Sequence, residues 1–259
     1  MILKRRTEMA ALLVKMECLT NMHVGNGDVN YSIIDKEVER DDNTGHPIVN
    51  ASGVKGALRE YFENNAELKI YADAFFGKGG EKGETKPGSL KILSAEMMAM
   101  PFRASVGTRA FYLVTDDSAL ARYEEIRASL FPKMKKMNIT DADDANAVEG
   151  ISLKRTITFG DDKIYVLSDS DFRDLKLPVL ARNKLDNGIS SNLWYEEVVP
   201  HESIFYFSVI SNYVSGNTSA QSDLKKFAKD IEGRIVQFGG NATIGYGLCR
   251  LTVIGENDE

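Results

Sequence analysis

The sequence predicts an α+β fold: a ferredoxin-like core carrying long insertions. Three observations predict it. An apolar strand with alternation opens the chain, a strand apolar on both faces runs through Ile204–Ile210, and another alternating strand closes it. Two stripes with helical spacing fall between the strand signals, one after Ser52 and one after Ser222. The order strand, helix, two strands, helix, strand is that of a ferredoxin-like fold. No linker-like composition divides the 259 residues, so the reading is one domain, 1–259.

In the opening strand, Leu12, Val14, Met16 and Cys18 alternate with Leu13, Lys15 and Glu17. The turn His23-Val24-Gly25-Asn26-Gly27-Asp28 follows, and its glycines let backbone approach a ligand closely. Ser32–Arg40 has no helix start and reads as extended, ending in the turn Asp41–Gly45. Ser52 is the expected N-cap of the first helix. Val54, Ala57, Leu58 and Tyr61 make its apolar stripe. Lys55 and Arg59, four apart, share another face near the end where amide N–H groups and the dipole favour anions. Phe75-Phe76-Gly77 ends the helical region. The loop at 78–88 is expected to be mobile and lacks the Gly-Lys-Ser/Thr of a phosphate-binding loop.

Ser89–Met97 and Ala110–Val114 read as strands. Ala119, Tyr123, Ile126 and Leu130 form a helical stripe after Asp116-Asp117. Asp141–Asp144 lacks the Gly and Glu of a calcium loop and reads as a solvated acidic loop. Ile164–Leu167 is a short strand. Asn187-Gly188 marks a hairpin at the end of a middle insertion, about 135–193. Ile204–Ile210 predicts a strand buried on both sides. Ser222 is the expected cap of a helix with Leu224, Phe227, Ala228 and Ile231 on one face, stopped by Gly233. Arg234–Phe238 is a strand, Gly239–Gly247 a glycine-rich loop, and Cys249, Leu251 and Val253 alternate in the last strand.

A net charge of −6 excludes a protein coated in basic surface but leaves room for a narrow basic groove, since phosphate affinity comes from the charges that reach it. Two cysteines in strand-like runs predict neither a disulfide framework nor, with three scattered histidines, a structural zinc site. A reducing cytoplasm fits that usage. No leader or long apolar run is seen, so neither secretion nor a membrane span is expected. The stretch His23–Arg59 combines a small-residue turn, a carboxylate and a basic helix start, parts that suit holding a phosphodiester backbone. Asp35 is the candidate carboxylate, with Asp28, in a turn-like position, as its rival. His46 and His201 read as structural.

Six short motifs occur in order over nearly the whole chain: His23-Val24-Gly25-Asn26-Gly27, Ile34-Asp35, Gly45-His46-Pro47-Ile48, Lys55-Gly56-Ala57-Leu58-Arg59, Leu193-Trp194-Tyr195-Glu196-Glu197, and Gly239–Gly245. Together they resemble the CRISPR-associated RAMP superfamily, and within it the backbone subunits of type III-B (Cmr) effector complexes. The resemblance implies a ferredoxin-like, RNA-recognition-motif-like fold whose copies stack as a filament along a guide RNA. It implies as partners target RNA and the other subunits of the complex, and no membrane. It further implies an endoribonuclease whose catalytic position is Asp35, acting with a divalent metal, Mg2+ or Mn2+, held at Asp35. His23 takes the place of a histidine near the RNA, as acid/base or as support of the loop. Lys55 and Arg59, with Ser52 and Gly53, face the guide backbone. Gly239, Gly240, Asn241 and Gly245 pack against the first helix and the guide strand, where Tyr246 could stack on a base. The hairpin of Arg182–Leu193, with Arg182, Asn183 and Lys184, is the thumb, and Trp194, Tyr195 and Glu197 lie near the site. The other role open to such a subunit is a guide-binding scaffold with no chemistry of its own. Two departures stand out: Asp35-Lys36-Glu37 replaces the family's Asp-x-Pro, and Leu93-Ser94-Ala95 replaces its Gly-Asp-Ala.

Overall fold

A computed structural model of the chain describes residues 10–25, 27, 33–79, 85–105, 109–142, 151, 153–211 and 219–257. Its first half contains β1 (Ala11–Cys18), β2 (Ile48–Val49), α1 (Ala51–Asn64), α2 (Lys69–Phe76), β3 (Leu90–Ile92), β4 (Ala95–Arg103), β5 (Phe111–Asp116) and α3 (Asp117–Leu130). Then come β6 (Thr140–Asp141), β7 (Arg155–Phe159), β8 (Asp162–Leu167), α4 (Asp169–Asp174), β9 (Val179–Asp186) and β10 (Ile189–Glu197). The chain closes with β11 (Ile204–Ser211), α5 (Ser219–Ile231), β12 (Ile235–Gln237) and β13 (Leu248–Asn257).

The ferredoxin-like core is the run β13-β1-β11-β4 of the large sheet, all antiparallel. In chain order these are the fourth, first, third and second core strands, the arrangement that the predicted order of elements demands. The even residues of β1, Leu12 to Cys18, join a core shared with α1, α2 and α5. Phe62 of α1 lies at its centre, stacked on Phe227 at 5.7 Å, with the edges of Phe75 and Phe76 against it. Leu13 points to the other face, into a second core with Leu120, Tyr123, Phe159 and Tyr206. β11 is buried along its whole length because both faces of the sheet are covered, as the sequence predicts.

Elements from β5 to β10 are inserted between the second and third core strands, and the expected 135–193 insertion lies inside this larger unit. β5 extends the sheet beyond β4, and β8 joins it in parallel. β9 and β10 form a separate two-stranded sheet. Asn187 and Gly188 turn it with φ of 49° and 83°, the two positive values of a type I′ turn.

Several local expectations change. Asn50, not Ser52, precedes the first turn of α1, and no side chain caps it; the Val54 amide closes that turn on the Asn50 carbonyl at 3.0 Å. Ser222 lies inside α5, which starts at Ser219. The Ser89–Met97 strand is two, broken where Leu93 bonds Ser208 and the Ser94 hydroxyl accepts the Ala51 amide at 3.1 Å. Residues 33–40 of the stretch read as extended form no strand. They make isolated bridges Lys36↔Glu196, Gly25↔Val38 and Arg40↔Pro47, because their partner changes every two residues. Ser32, Asn26 and the rival Asp28 lie outside the described residues, as do 80–84 of the loop expected to be mobile and Asp143 and Asp144 of the acidic loop. That loop is closed at its neck, where Lys78 and Lys86 exchange both backbone hydrogen bonds at 2.9 Å.

Candidate functional site

One strand builds the site. Along β10, each residue from Trp194 to Glu197 contacts the 35–40 segment. β9 occupies one edge of β10, and the 35–38 segment runs along the other. There the Tyr195 carbonyl accepts the amides of both Asp35 and Lys36, at 3.1 and 3.2 Å. Two successive donors on one acceptor make a bulge, a feature that re-aims side chains and recurs beside active sites. The Tyr195 amide in turn donates to Asp35 Oδ2 at 2.7 Å. Asp35 is thus exposed yet fixed at the base of the hairpin through its Oδ2.

His23 is buried. Its Nδ1–H donates to the Glu197 carbonyl at 2.7 Å, while its own carbonyl accepts the Gly240 amide at 2.9 Å. The histidine therefore ties β10 to the glycine-rich loop. Gly239 allows that approach: it has φ 77°, and a Cβ there would sit 2.3 Å from the His23 oxygen. Asn241 and Gly245 are also left-handed, at 61° and 81°; asparagine tolerates this region better than most residues. Glu197 is buried and accepts the Val38 amide at 3.0 Å and the Arg40 guanidinium at 2.6 Å.

Glu196 is the residue the sequence reading passed over. It is 1 % exposed. Its Oε1 accepts Asn241 Nδ2 at 2.9 Å and lies 3.8 Å from Lys36 Nζ, and its Oε2 lies 3.6 Å from Arg182 Nε. Lys36 stands over the Trp194 ring at 5.6 Å, and Arg182 over the Tyr246 ring at 5.2 Å, each within reach of the ring quadrupole. Glu196 Oε2, Trp194 Nε1 and Tyr246 OH are all buried without a hydrogen-bond partner among the described residues.

The remaining candidates divide. Ser52, Gly53 and Lys55 are exposed at the start of α1, and Lys55 has no ion-pair partner among the described residues. Arg59 is committed elsewhere: Nε to Glu63 at 2.7 Å, one terminal nitrogen to the Gly77 carbonyl at 2.5 Å and the other to Asp73 at 2.8 Å. It braces α1 against α2, so this guanidinium is not free to face a phosphate. A groove of about 410 Å³ separates Ala57 and Tyr61 of α1 from Ala242 of the glycine-rich loop, so the helix and the loop flank one surface. Lys184 is exposed on the hairpin, and Asn183 accepts the Ser190 hydroxyl at 2.7 Å. His46 lies outside this cluster, bonded to the buried Asp116 at 3.0 Å.

The expected divalent metal can be tested against these residues. Among the described residues no three His, Cys, Asp or Glu side chains are disposed to hold an ion. The exposed Asp35 carboxylate suits a Mg2+ that keeps its waters and takes further ligands from phosphates, which needs no protein cage.

Comparison with known proteins gives the family. The family model described as the RAMP superfamily matches residues 15–250. The chain is 26% identical to the CRISPR system Cmr endoribonuclease Cmr4 of Pyrococcus furiosus, over 95% of this chain and 96% of that protein. It superposes on a chain of the type III-B Cmr-beta complex bound to cognate target RNA with a TM-score of 0.71 and 20% identity, over 95% and 98% of the two chains. With oligomeric Cmr4 from Pyrococcus furiosus the TM-score is 0.69 and the identity 20%, over 96% and 99%. A match that begins inside β1, ends inside β13 and takes in Asp35, the hairpin and the glycine-rich loop leaves one conclusion: the chain belongs to the RAMP superfamily.

Proposed function

We propose that this protein is the repeating backbone subunit of a type III-B CRISPR effector complex, and that it cleaves target RNA paired to the guide. Copies line the guide RNA in the cytoplasm, beside the other subunits of the complex, and each presents one Asp35. The likeness to the Cmr4 endoribonuclease over both full lengths supports the assembly. The observation that carries the chemistry is the exposed Asp35 carboxylate, locked by Tyr195 at the root of a protruding hairpin.

The reaction is a transfer within RNA. The 2′-hydroxyl gives its proton to Asp35, its oxygen bonds to phosphorus, and the bond to the 5′-oxygen breaks. The leaving oxygen takes a proton from water, and the Asp35 proton returns to solvent. The products are a 2′,3′-cyclic phosphate and a 5′-hydroxyl, with no net consumption of water. The hairpin contributes geometry: a duplex holds the 2′-oxygen out of line, and a nucleotide splayed over a wedge relaxes into line. Asp35 would hold the divalent ion, which would supply neutralisation of charge at the phosphate.

The test starts with the protein purified alongside its native neighbours and the sequencing of the RNA that accompanies it. Short guide-like RNAs of uniform length are expected. Asp35→Asn should then abolish target cleavage while the complex still assembles. Cleavage at the wild-type rate in that variant would reduce the subunit to a scaffold.

A further inference from the structure

Lys36 has had no role so far, and three observations assign it one. The first is the bulge at Tyr195. Consecutive residues of a regular strand face opposite ways, but Asp35 and Lys36 both donate to one carbonyl, so the regular alternation is broken at this point. The second is how the ammonium is held. It sits over Trp194 at 5.6 Å and 3.8 Å from Glu196, neither at hydrogen-bond distance, and its side chain is half exposed. Three N–H donors are thereby aimed but not consumed. The third is the unmet polar atoms beside it: Glu196 Oε2 and Trp194 Nε1 are buried without partners among the described residues. Buried polar atoms are ordinarily paired, and a catalytic role is one of the few reasons a native structure leaves them unpaired.

We propose that Lys36 neutralises the scissile phosphate beside Asp35, with Glu196 and Trp194 as its positioning residues. The inference rests on the ribonuclease reading and names a further residue for it. Charge grows on the non-bridging oxygens as the 2′-oxygen bonds to phosphorus. An ammonium brought beside them stabilises that charge without giving up a proton of its own. Glu196 has a second cation, Arg182, on its far side, so its carboxylate stays compensated when Lys36 turns toward the phosphate.

The experiment uses the assembled complex with its guide and saturating Mg2+, in saturating excess over a labelled target RNA, followed in single turnover. Lys36 is exposed and Lys36→Gln leaves the fold intact. It should cleave on the order of 10²-fold more slowly, with target-RNA affinity within about threefold of wild type. Lys36→Arg keeps the charge and should cleave within about fivefold of wild type. A slowing by Lys36→Gln of less than tenfold, a slowing matched by an equal loss of affinity, or a Lys36→Arg as slow as Lys36→Gln each overturns the assignment. Asp35→Asn is run beside them. If it is inert while Lys36→Gln is fast, only the role of Lys36 falls. If it cleaves normally, the ribonuclease reading falls with it.

Discussion

Tyr195 grips Asp35 from both ends of its own backbone: its amide donates to the carboxylate at 2.7 Å and its carbonyl accepts the Asp35 amide at 3.1 Å. The two residues are 160 positions apart. One strand of the protruding hairpin thus carries the catalytic candidate on its free edge, and whatever displaces the hairpin displaces Asp35 with it.

The glycine-rich loop should be sensitive at one glycine and tolerant at the next. A side chain at Gly239 meets the His23 carbonyl at 2.3 Å and a φ of 77°, whereas at Gly240 the nearest atom is 4.0 Å away. Gly239→Ala is expected to destabilise by ~2–4 kcal/mol, and Gly240→Ala to stay within ~0.5 kcal/mol of wild type. Urea unfolding measures both. Equal midpoints for the two variants would contradict the described approach of loop and histidine.

Lys55 and Arg59 should separate, although the sequence presents them as a pair. Lys55→Glu is expected to weaken RNA binding and lower the slope of log affinity against log salt by about 1, with the urea midpoint unchanged. Arg59→Ala removes the brace to Glu63, Asp73 and the Gly77 carbonyl. It should cost roughly 1 kcal/mol of stability, because these pairs are largely solvated, and leave the salt slope alone. Salt titration and unfolding of each variant decide it; a change in slope with Arg59→Ala would return that residue to the RNA.

Asp116 should make the protein acid-sensitive. Burial pushes its carboxyl up, but the His46 hydrogen bond, the Ala119 amide, the His46 charge and the Ser118 hydroxyl outweigh this and hold it below its ordinary value of 3.8. A depressed carboxylate stabilises above its unfolded value and loses that contribution as pH falls through the folded one. Wild type should therefore lose stability below about pH 3.8. Asp116→Asn, less stable at pH 6, should lose less over the same range. Parallel curves of unfolding free energy against pH would remove Asp116 from this role.

Much of the fold is legible in the sequence because its signals are local. Alternation marks β1 and β13, a 3.6-residue stripe marks α1 and α5, and Asn187-Gly188 marks the turn of the hairpin by its backbone chemistry alone. The start of α1 was misread because Ser52 has the side chain of a cap, while Asn50 holds the position that precedes the first turn. Nothing in either residue type decides between them once no side-chain bond is made.

The sequence by itself determined the order of the core strands and helices and the hairpin turn, properties of residues a few positions apart, while the candidacy of Asp35 came from motifs spread along nearly the whole chain. Tertiary structure alone decided which charges are free. Arg59 and Lys55 are equivalent on a helical wheel, yet only Arg59 has Asp73 and the Gly77 carbonyl within reach, because α2 folds back on α1. Glu196 looks like any surface glutamate until Asn241, Lys36 and Arg182 converge on it from three other segments. The physical reason is one of range. Propensity and periodicity act over a few residues, whereas the desolvation and pairing of a charge depend on groups that only the completed chain path brings together.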